Sequence, residues 1–132
     1  MTSLDKNNNF DTRATCLNCM DGRVQLPVLY WIREKYHIDF VDVITEAGID
    51  KIIALQENID EIIRSIEISV NTNKSSRIFV VGHYDCKGNS VDKKTHHEHI
   101  LKSVKRLKTL WSEFEIIGLW VNSHWQVEVC CK

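Results

Sequence analysis

The sequence has little proline, almost no net charge and no long apolar run. Its 132 residues include one proline and five glycines and carry a formal net charge of −1, with acidic and basic residues mixed along the chain. The composition therefore gives no sign of a low-complexity linker or of a basic stripe, and a role in binding nucleic acid is not expected. No apolar stretch approaches the ~20 residues of a membrane span, so no membrane partner is expected either.

The cysteines do not suggest a disulfide framework. There are five, an odd number, and Cys130 and Cys131 are adjacent, which suits a reducing compartment better. The amino terminus, Met1 to Asn9, is polar and lacks the apolar segment of a signal peptide. We therefore predict a cytoplasmic protein with one domain over residues 1–132, of which residues 1–11 form a flexible terminus.

Apolar patterning predicts alternating strands and helices. Short apolar runs predict strands at residues 13–19, 40–44, 77–82, 116–121 and 126–129. Helical spacing of apolar residues predicts helices at residues 24–36, from Asp50 to Val70 and from about Lys93 to Trp111. This order predicts an α/β fold with three layers, in which helices flank a small, mostly parallel sheet of about four strands plus an antiparallel edge strand.

Two segments carry most of the chemistry. Cys19, Asp21 and Arg23 come at or directly after the end of the first predicted strand, and His83 and Cys86 follow the third. The carboxyl ends of parallel strands lie at one edge of a sheet, which is where the binding sites of open α/β folds form. Two thiolates and an imidazole are ligands that zinc prefers, and three protein ligands leave a fourth position open, as in catalytic zinc sites.

In combination, these motifs resemble those of the β-class carbonic anhydrases. The similarity consists of Cys-x-Asp-x-Arg after the first strand, Ala47-Gly48 after the second and His-x-x-Cys after the third. The stretch Gly-Leu-Trp-Val, followed by Gln-Val-Glu-Val, resembles the closing strand pair of that family. The resemblance covers roughly residues 13–130 and implies the fold of that family over nearly the whole chain.

The resemblance implies a zinc enzyme that reversibly hydrates carbon dioxide to bicarbonate. In this sequence Cys19, His83 and Cys86 would be the zinc ligands, and Asp21 and Arg23 would form the catalytic dyad that orients the zinc-bound hydroxide. The family also has a closed form, in which the aspartate replaces water as the fourth ligand. Its basic unit is a dimer, and dimers often pair further, so the resemblance implies a homodimer or homotetramer.

The chain departs from the family pattern at positions that are not predicted ligands. Lys87 stands where the family usually has glycine after the second ligand cysteine, and Thr45-Glu46 stands where it tends to have Arg-Asn. Both changes alter the predicted lining on the substrate side. The chain is also short for the family and has little of the amino-terminal arm that embraces a partner, which predicts a smaller or differently built dimer and a more open site.

Cys16 leaves other functions open. With Cys19, His83 and Cys86 it could complete a structural zinc site for assembly, and with Cys19 alone it forms a Cys-x-x-Cys that could exchange disulfides. Residues three apart on a strand face opposite sides, so we expect Cys16 to point away from Cys19. A zinc hydrolase acting on carbonyl sulfide or carbon disulfide is a further alternative, because the same nucleophile attacks those carbons. Only the enzymatic hypotheses need the aspartate–arginine dyad.

A histidine cluster opens the last predicted helix. His96, His97 and His99 could bind a metal or shuttle protons, but Thr95 and Glu98 fit a capping box. We therefore interpret this segment as a solvated first helical turn.

The aromatic side chains are interpreted as packing residues. Tyr30 and Trp31, in the first predicted helix, add more apolar surface than one small domain readily covers, which supports a homodimer or a larger assembly. Trp120 and Trp125 are expected in the core or at an interface.

Overall fold

The computed structural model describes residues 12–132, and their five strands form one sheet. The strands are β1 (Arg13–Asn18), β2 (Phe40–Thr45), β3 (Arg77–His83), β4 (Glu115–Val121) and β5 (Val127–Cys131). Their order is β2-β1-β3-β4-β5, with β1 to β4 parallel and β5 antiparallel to β4 at one edge. The predicted α/β fold, with an antiparallel strand at the edge of a parallel sheet, is confirmed. The flexible terminus predicted for residues 1–11 lies outside the described residues.

Helices cover both faces of the sheet. They are α1 (Gln25–Tyr36), α2 (Ile49–Leu55), α3 (Asp60–Glu67) and α4 (Lys93–Lys108), with a 3-10 turn at Gly22–Val24 and a π-helical turn at Ile68–Thr72. Within residues 12–132, none of these helices combines the length and the apolar character needed to cross a membrane.

The core has two halves, one on each face of the sheet, because strand residues alternate between faces. In β3, Ile78 and Val80 pack on the side of α2, α3 and α4, whereas Phe79 and Val81 pack on the side of α1. Trp120 of β4 is also in the core, as predicted. A sheet covered on both faces explains why its strands are continuous apolar runs in the sequence.

The prediction of one long helix from Asp50 to Val70 is wrong, because α2 and α3 are separate helices. Gln56 leaves the helical conformation with φ −76° and ψ 139°. The Arg106 guanidinium donates to three backbone carbonyls at the end of α2 and in the loop that follows, which satisfies acceptors freed at a helix end. The Asn58 side chain then accepts a hydrogen bond from the Asp60 amide at 2.9 Å, at the start of α3. The apolar period continues through this break and therefore does not reveal it.

Two histidines at the start of α4, His96 and His99, are buried, so the predicted solvated turn is wrong for them, although Lys93, Lys94 and Glu98 are exposed. Asp92, rather than Thr95, caps the helix, and its carboxylate accepts a hydrogen bond from the Thr95 amide at 2.8 Å. His96 and His99 are 1% and 8% exposed, because this end of α4 packs against α2 and the sheet. The helix ends at Lys108, slightly before its predicted end. His96 and His99 therefore belong to the interior of the molecule, whereas His97 is only partly buried.

Candidate metal centre

The predicted ligands come together at the carboxyl ends of β1 and β3. Cys19 follows the last residue of β1, and His83 is the last residue of β3. Asp85 has a left-handed backbone conformation (φ 57°), which turns the chain so that Cys86 returns toward the strand ends. The three side chains are buried, and their ligand atoms all lie within 4.8 Å of one another. This group could hold a metal ion.

His83 has one ring nitrogen engaged and one available. Nδ1 lies 2.8 Å from the carbonyl oxygen of Tyr84, and because a carbonyl can only accept, Nδ1 donates. Nε2 is buried and has no hydrogen-bond partner among the described residues. Unpaired buried nitrogens are rare, and an imidazole anchored through one nitrogen is the usual arrangement of a metal-binding histidine. The donor set, one imidazole and two cysteine sulfurs, therefore fits zinc.

The two cysteine sulfurs lie in surroundings that favour a negative charge on one of them. Sγ of Cys19 and Sγ of Cys86 are 3.9 Å apart, and the Gly48 amide donates to Cys19 Sγ at 3.5 Å. The hydrogen bond with Cys86, helped by contacts to His83 and Gly48, lowers the pKa of Cys19 to about 4, although burial opposes this shift. The same contact with Cys19 raises the pKa of Cys86. One thiolate is thus present near neutral pH, and the thiolate is the form that binds metals.

Two glycines bring the loops after β2 and β3 into backbone contact beside Cys19. A Cβ atom at Gly48 would lie 2.5 Å from the carbonyl carbon of Gly88, and one at Gly88 would lie 2.5 Å from the amide nitrogen of Gly48. Gly48 also has φ 63°, a left-handed conformation that costs other residues about 1–2 kcal/mol. The close approach places the Gly48 amide against Cys19 and holds the loop that carries Cys86.

Replacing Gly48 with alanine should lower the free energy of unfolding by about 2–5 kcal/mol, because the new methyl group adds overpacking to backbone strain. Gly22→Ala is the matched control, since a Cβ atom at Gly22 meets nothing within 4 Å, and it should not lose stability. Chemical denaturation of both variants measures the difference. Equal stability of the two variants would contradict the backbone contact.

Asp21 and Arg23 form an ion pair beside the cysteine–histidine cluster. The guanidinium contacts the carboxylate through Nη2–Oδ2 (2.7 Å) and Nε–Oδ1 (3.1 Å), and the Arg23 amide donates to Oδ1 at 2.9 Å. Hydrogen bonding from Arg23 lowers the pKa of Asp21 to about 2. The carboxylate is therefore ionised near neutral pH and can only accept hydrogen bonds.

The Arg23 guanidinium also contacts Asp85 and Trp125, two contacts that the sequence did not reveal. The guanidinium contacts Asp85 through Nη1–Oδ2 (3.2 Å) and through the backbone carbonyl (Nη2–O, 3.1 Å). It also lies 4.5 Å from the centre of the Trp125 ring, a cation–π contact. Trp125 comes from the turn between β4 and β5, so it packs on the ion pair rather than only in the core. Lys87, the departure from the family pattern, pairs with Asp85 at 3.0 Å.

Cys16 does not join the cluster. β1 ends at Asn18, and Cys19 then packs into the same core half as Cys16, which corrects the expectation that the two cysteines face opposite sides. Even so, Cys16 is not part of the close group of ligand atoms found within residues 12–132. Burial raises the pKa of its thiol to about 12, which suppresses the thiolate that metal binding or disulfide exchange needs. Neither the four-ligand structural site nor the dithiol hypothesis gains support.

Comparison with known proteins gives a family and a fold. A model of the family described as "Putative carbonic anhydrase" matches residues 9–131, whereas a search of curated proteins finds no match. The chain is similar in structure to a carbonic anhydrase from Glaciozyma antarctica, with 16% identity, a TM-score of 0.63 and coverage of 98% of this chain and 87% of that one. It is also similar to a tetrameric β-carbonic anhydrase from Sordaria macrospora, with 13% identity, a TM-score of 0.59 and coverage of 90% of this chain and 81% of that one. A further similar structure is the β-carbonic anhydrase CafA of Aspergillus fumigatus, with 12% identity, a TM-score of 0.59 and coverage of 92% of this chain and 78% of that one.

The family match and the structural similarities extend over nearly the whole chain. At these low identities the similarity to solved structures shows only the fold. The match to the family model shows the family. The chain belongs to the carbonic anhydrase family and has the fold of the β-carbonic anhydrases.

Proposed function

We propose that this protein is a zinc-dependent carbonic anhydrase that catalyses the reversible hydration of carbon dioxide to bicarbonate. One observation carries the proposal: the buried, unpaired Nε2 of His83 belongs to a tight group with Cys19 and Cys86, beside an ionised Asp21. The carbonic anhydrase family and fold support an enzyme of this type.

Each of five residues has a distinct role in the proposed reaction. Cys19, His83 and Cys86 would hold the zinc ion. When bound, zinc supplies a hydroxide nucleophile near neutral pH, because it lowers the pKa of water. With zinc bound, Asp21 would accept a hydrogen bond from that nucleophile and so orient it toward the substrate carbon. Arg23 keeps Asp21 ionised and fixed in place.

We expect the hydration rate to rise with pH between about pH 7 and pH 9, because two cysteine thiolates offset the charge of zinc and the nucleophile then forms at higher pH. Asp21 does not cause this rise, since its pKa of about 2 leaves it ionised over the whole range. Stopped-flow measurements across the range provide the profile. A hydration rate that falls as pH increases would contradict the proposed nucleophile.

Elemental analysis together with stopped-flow assays of the purified protein tests the proposal. We expect about one zinc per chain and hydration of carbon dioxide faster than in buffer alone. Carbonyl sulfide and carbon disulfide are assayed in parallel, because the same nucleophile could attack them. A zinc-loaded protein that acts only on these sulfur compounds would be a related hydrolase instead, and a protein that binds no zinc would refute both.

We further propose that the protein is a cytoplasmic homodimer or homotetramer. On α1, Leu26 and Tyr30 are 59% and 62% exposed, and they line one surface pocket together with Val41 of the edge strand β2. Exposed apolar side chains grouped in this way often mark an interface, and the relative from Sordaria macrospora is described as tetrameric. Light scattering should report at least twice the 15.4 kDa of the chain. A monomer at micromolar concentration would contradict the proposed assembly.

A further inference from the structure

Four polar side chains form a buried network next to the candidate metal centre. Asp50 in α2, Asn89 in the loop after β3 and His96 in α4 are each 1% exposed, and His99 in α4 is 8% exposed. Burying polar groups costs free energy unless they are hydrogen-bonded. The partners of these four side chains therefore decide what the network does.

The distances in the network indicate which atoms donate. Nδ1 of His96 lies 2.7 Å from Oδ2 of Asp50, and in this pair the ring N–H donates and the carboxylate oxygen accepts. The amide nitrogen of Asn89 lies 3.2 Å from Oδ1 of Asp50 and 3.0 Å from Nδ1 of His99, so its two hydrogens are divided between them. The Ser103 hydroxyl donates to the backbone carbonyl of Asp50 at 3.0 Å. Asn89 thus links α2 to α4.

The network is also joined to both loops that carry the cysteine ligands. Asn89 belongs to the Cys86 loop, and its backbone amide donates to the Cys86 carbonyl at 3.3 Å. Asp50 lies in the first turn of α2, just after Gly48, whose amide contacts Cys19. The hydrogen bond between the Asn89 and Asp50 side chains therefore ties the Cys86 loop to the loop that supports Cys19.

We propose that this network positions Cys86 and sets the rate at which the metal leaves. The inference rests on the proposed zinc site. Release of zinc requires the Cys86 loop to separate from α2, and this movement must break the hydrogen bonds of Asn89 as well as the contact between Gly48 and Gly88. Asn89 and His96 are positioning residues, because they act through the loop and are not among the proposed ligands.

Asn89→Ala should release zinc about 10- to 100-fold faster than the wild-type protein, the range typical of losing an outer hydrogen bond at a metal site. The zinc-loaded 132-residue protein is mixed with a chromophoric chelator, and the colour change gives the dissociation rate. His96→Ala should also release zinc faster. His96→Asn, which keeps a donor near the position of Nδ1, should restore slower release.

Val104→Ala is the matched control for a general loss of stability. Val104 lies in α4, is 2% exposed and packs in the same core half, but its side chain has no polar atom to join the network. Its truncation lowers stability by opening a cavity, yet zinc should dissociate at the wild-type rate. Circular dichroism verifies that each zinc-loaded variant is folded.

The possible outcomes separate this inference from the proposed function. Asn89→Ala that releases zinc no faster than Val104→Ala overturns the inference and leaves the zinc site standing, whereas a wild-type protein without zinc overturns both. If Asn89→Ala does not fold, the zinc dissociation rate of His99→Ala, a variant at the edge of the network, tests the inference instead. Release several-fold faster than wild-type then supports the inference, and release at the wild-type rate overturns it.

Discussion

Asp21→Asn should retain its zinc and hydrate carbon dioxide about 100- to 1,000-fold more slowly than the wild-type protein. The Asp21 carboxylate is ionised, with a pKa of about 2, and can only accept a hydrogen bond. An asparagine amide can instead donate toward the nucleophile and misorient it, and Arg23 loses its charged partner. Asp21 is not one of the three proposed ligands, so zinc content should not change. Stopped-flow kinetics and elemental analysis measure the two quantities.

Asp92→Asn is the matched control for this loss of a carboxylate. Asp92 is exposed and caps α4 by accepting the Thr95 amide at 2.8 Å. Asparagine caps helices about as well as aspartate, so the hydration rate should be unchanged. Wild-type activity in Asp21→Asn would show that the ion pair has no catalytic role.

Cys19→Ser and Cys86→Ser should each lose nearly all of their zinc. A serine hydroxyl is neither a soft ligand nor ionised near neutral pH, so each variant retains only two good ligands. The remaining cysteine also loses the sulfur contact at 3.9 Å that favours a thiolate in this pair. Elemental analysis after dialysis against a weak chelator measures the loss. Full zinc content in either variant would refute the ligand assignment.

Cys16→Ser separates the catalytic from the structural zinc hypothesis. Because Cys16 lies outside the close group of ligand atoms, this variant should keep its zinc. Cys16 is fully buried in an apolar core half, so a hydroxyl there should cost about 1–3 kcal/mol of stability without affecting metal content. A structural four-ligand site requires the opposite result, with zinc lost from Cys16→Ser.

The strands and the residues at their ends could be predicted because both depend on local order in the chain. Apolar runs located β1 and β3, and the rule that parallel strands end at one edge then brought Cys19 and His83 together. Cys86 could be added because it follows β3 within one turn. The pairing of Asp21 with Arg23 was equally accessible, since the two residues are neighbours in sequence.

The features that could not be predicted depend on contacts between distant segments. The break between α2 and α3 involves Arg106, which comes from α4, while the apolar period continues through the break. His96 is buried because α4 packs against α2, where Asp50 accepts its hydrogen bond. Trp125 reaches Arg23 only through the turn between β4 and β5. A local pattern contains no signal for any of these contacts.

Stopped-flow hydration of carbon dioxide by the zinc-loaded wild-type protein, at about pH 8.5, tests most directly whether this chain is a carbonic anhydrase. We predict a rate well above that of buffer alone, which is lost when a chelator removes the zinc and returns when zinc is restored. A rate equal to that of buffer, from protein that contains about one zinc per chain, would contradict the enzymatic function.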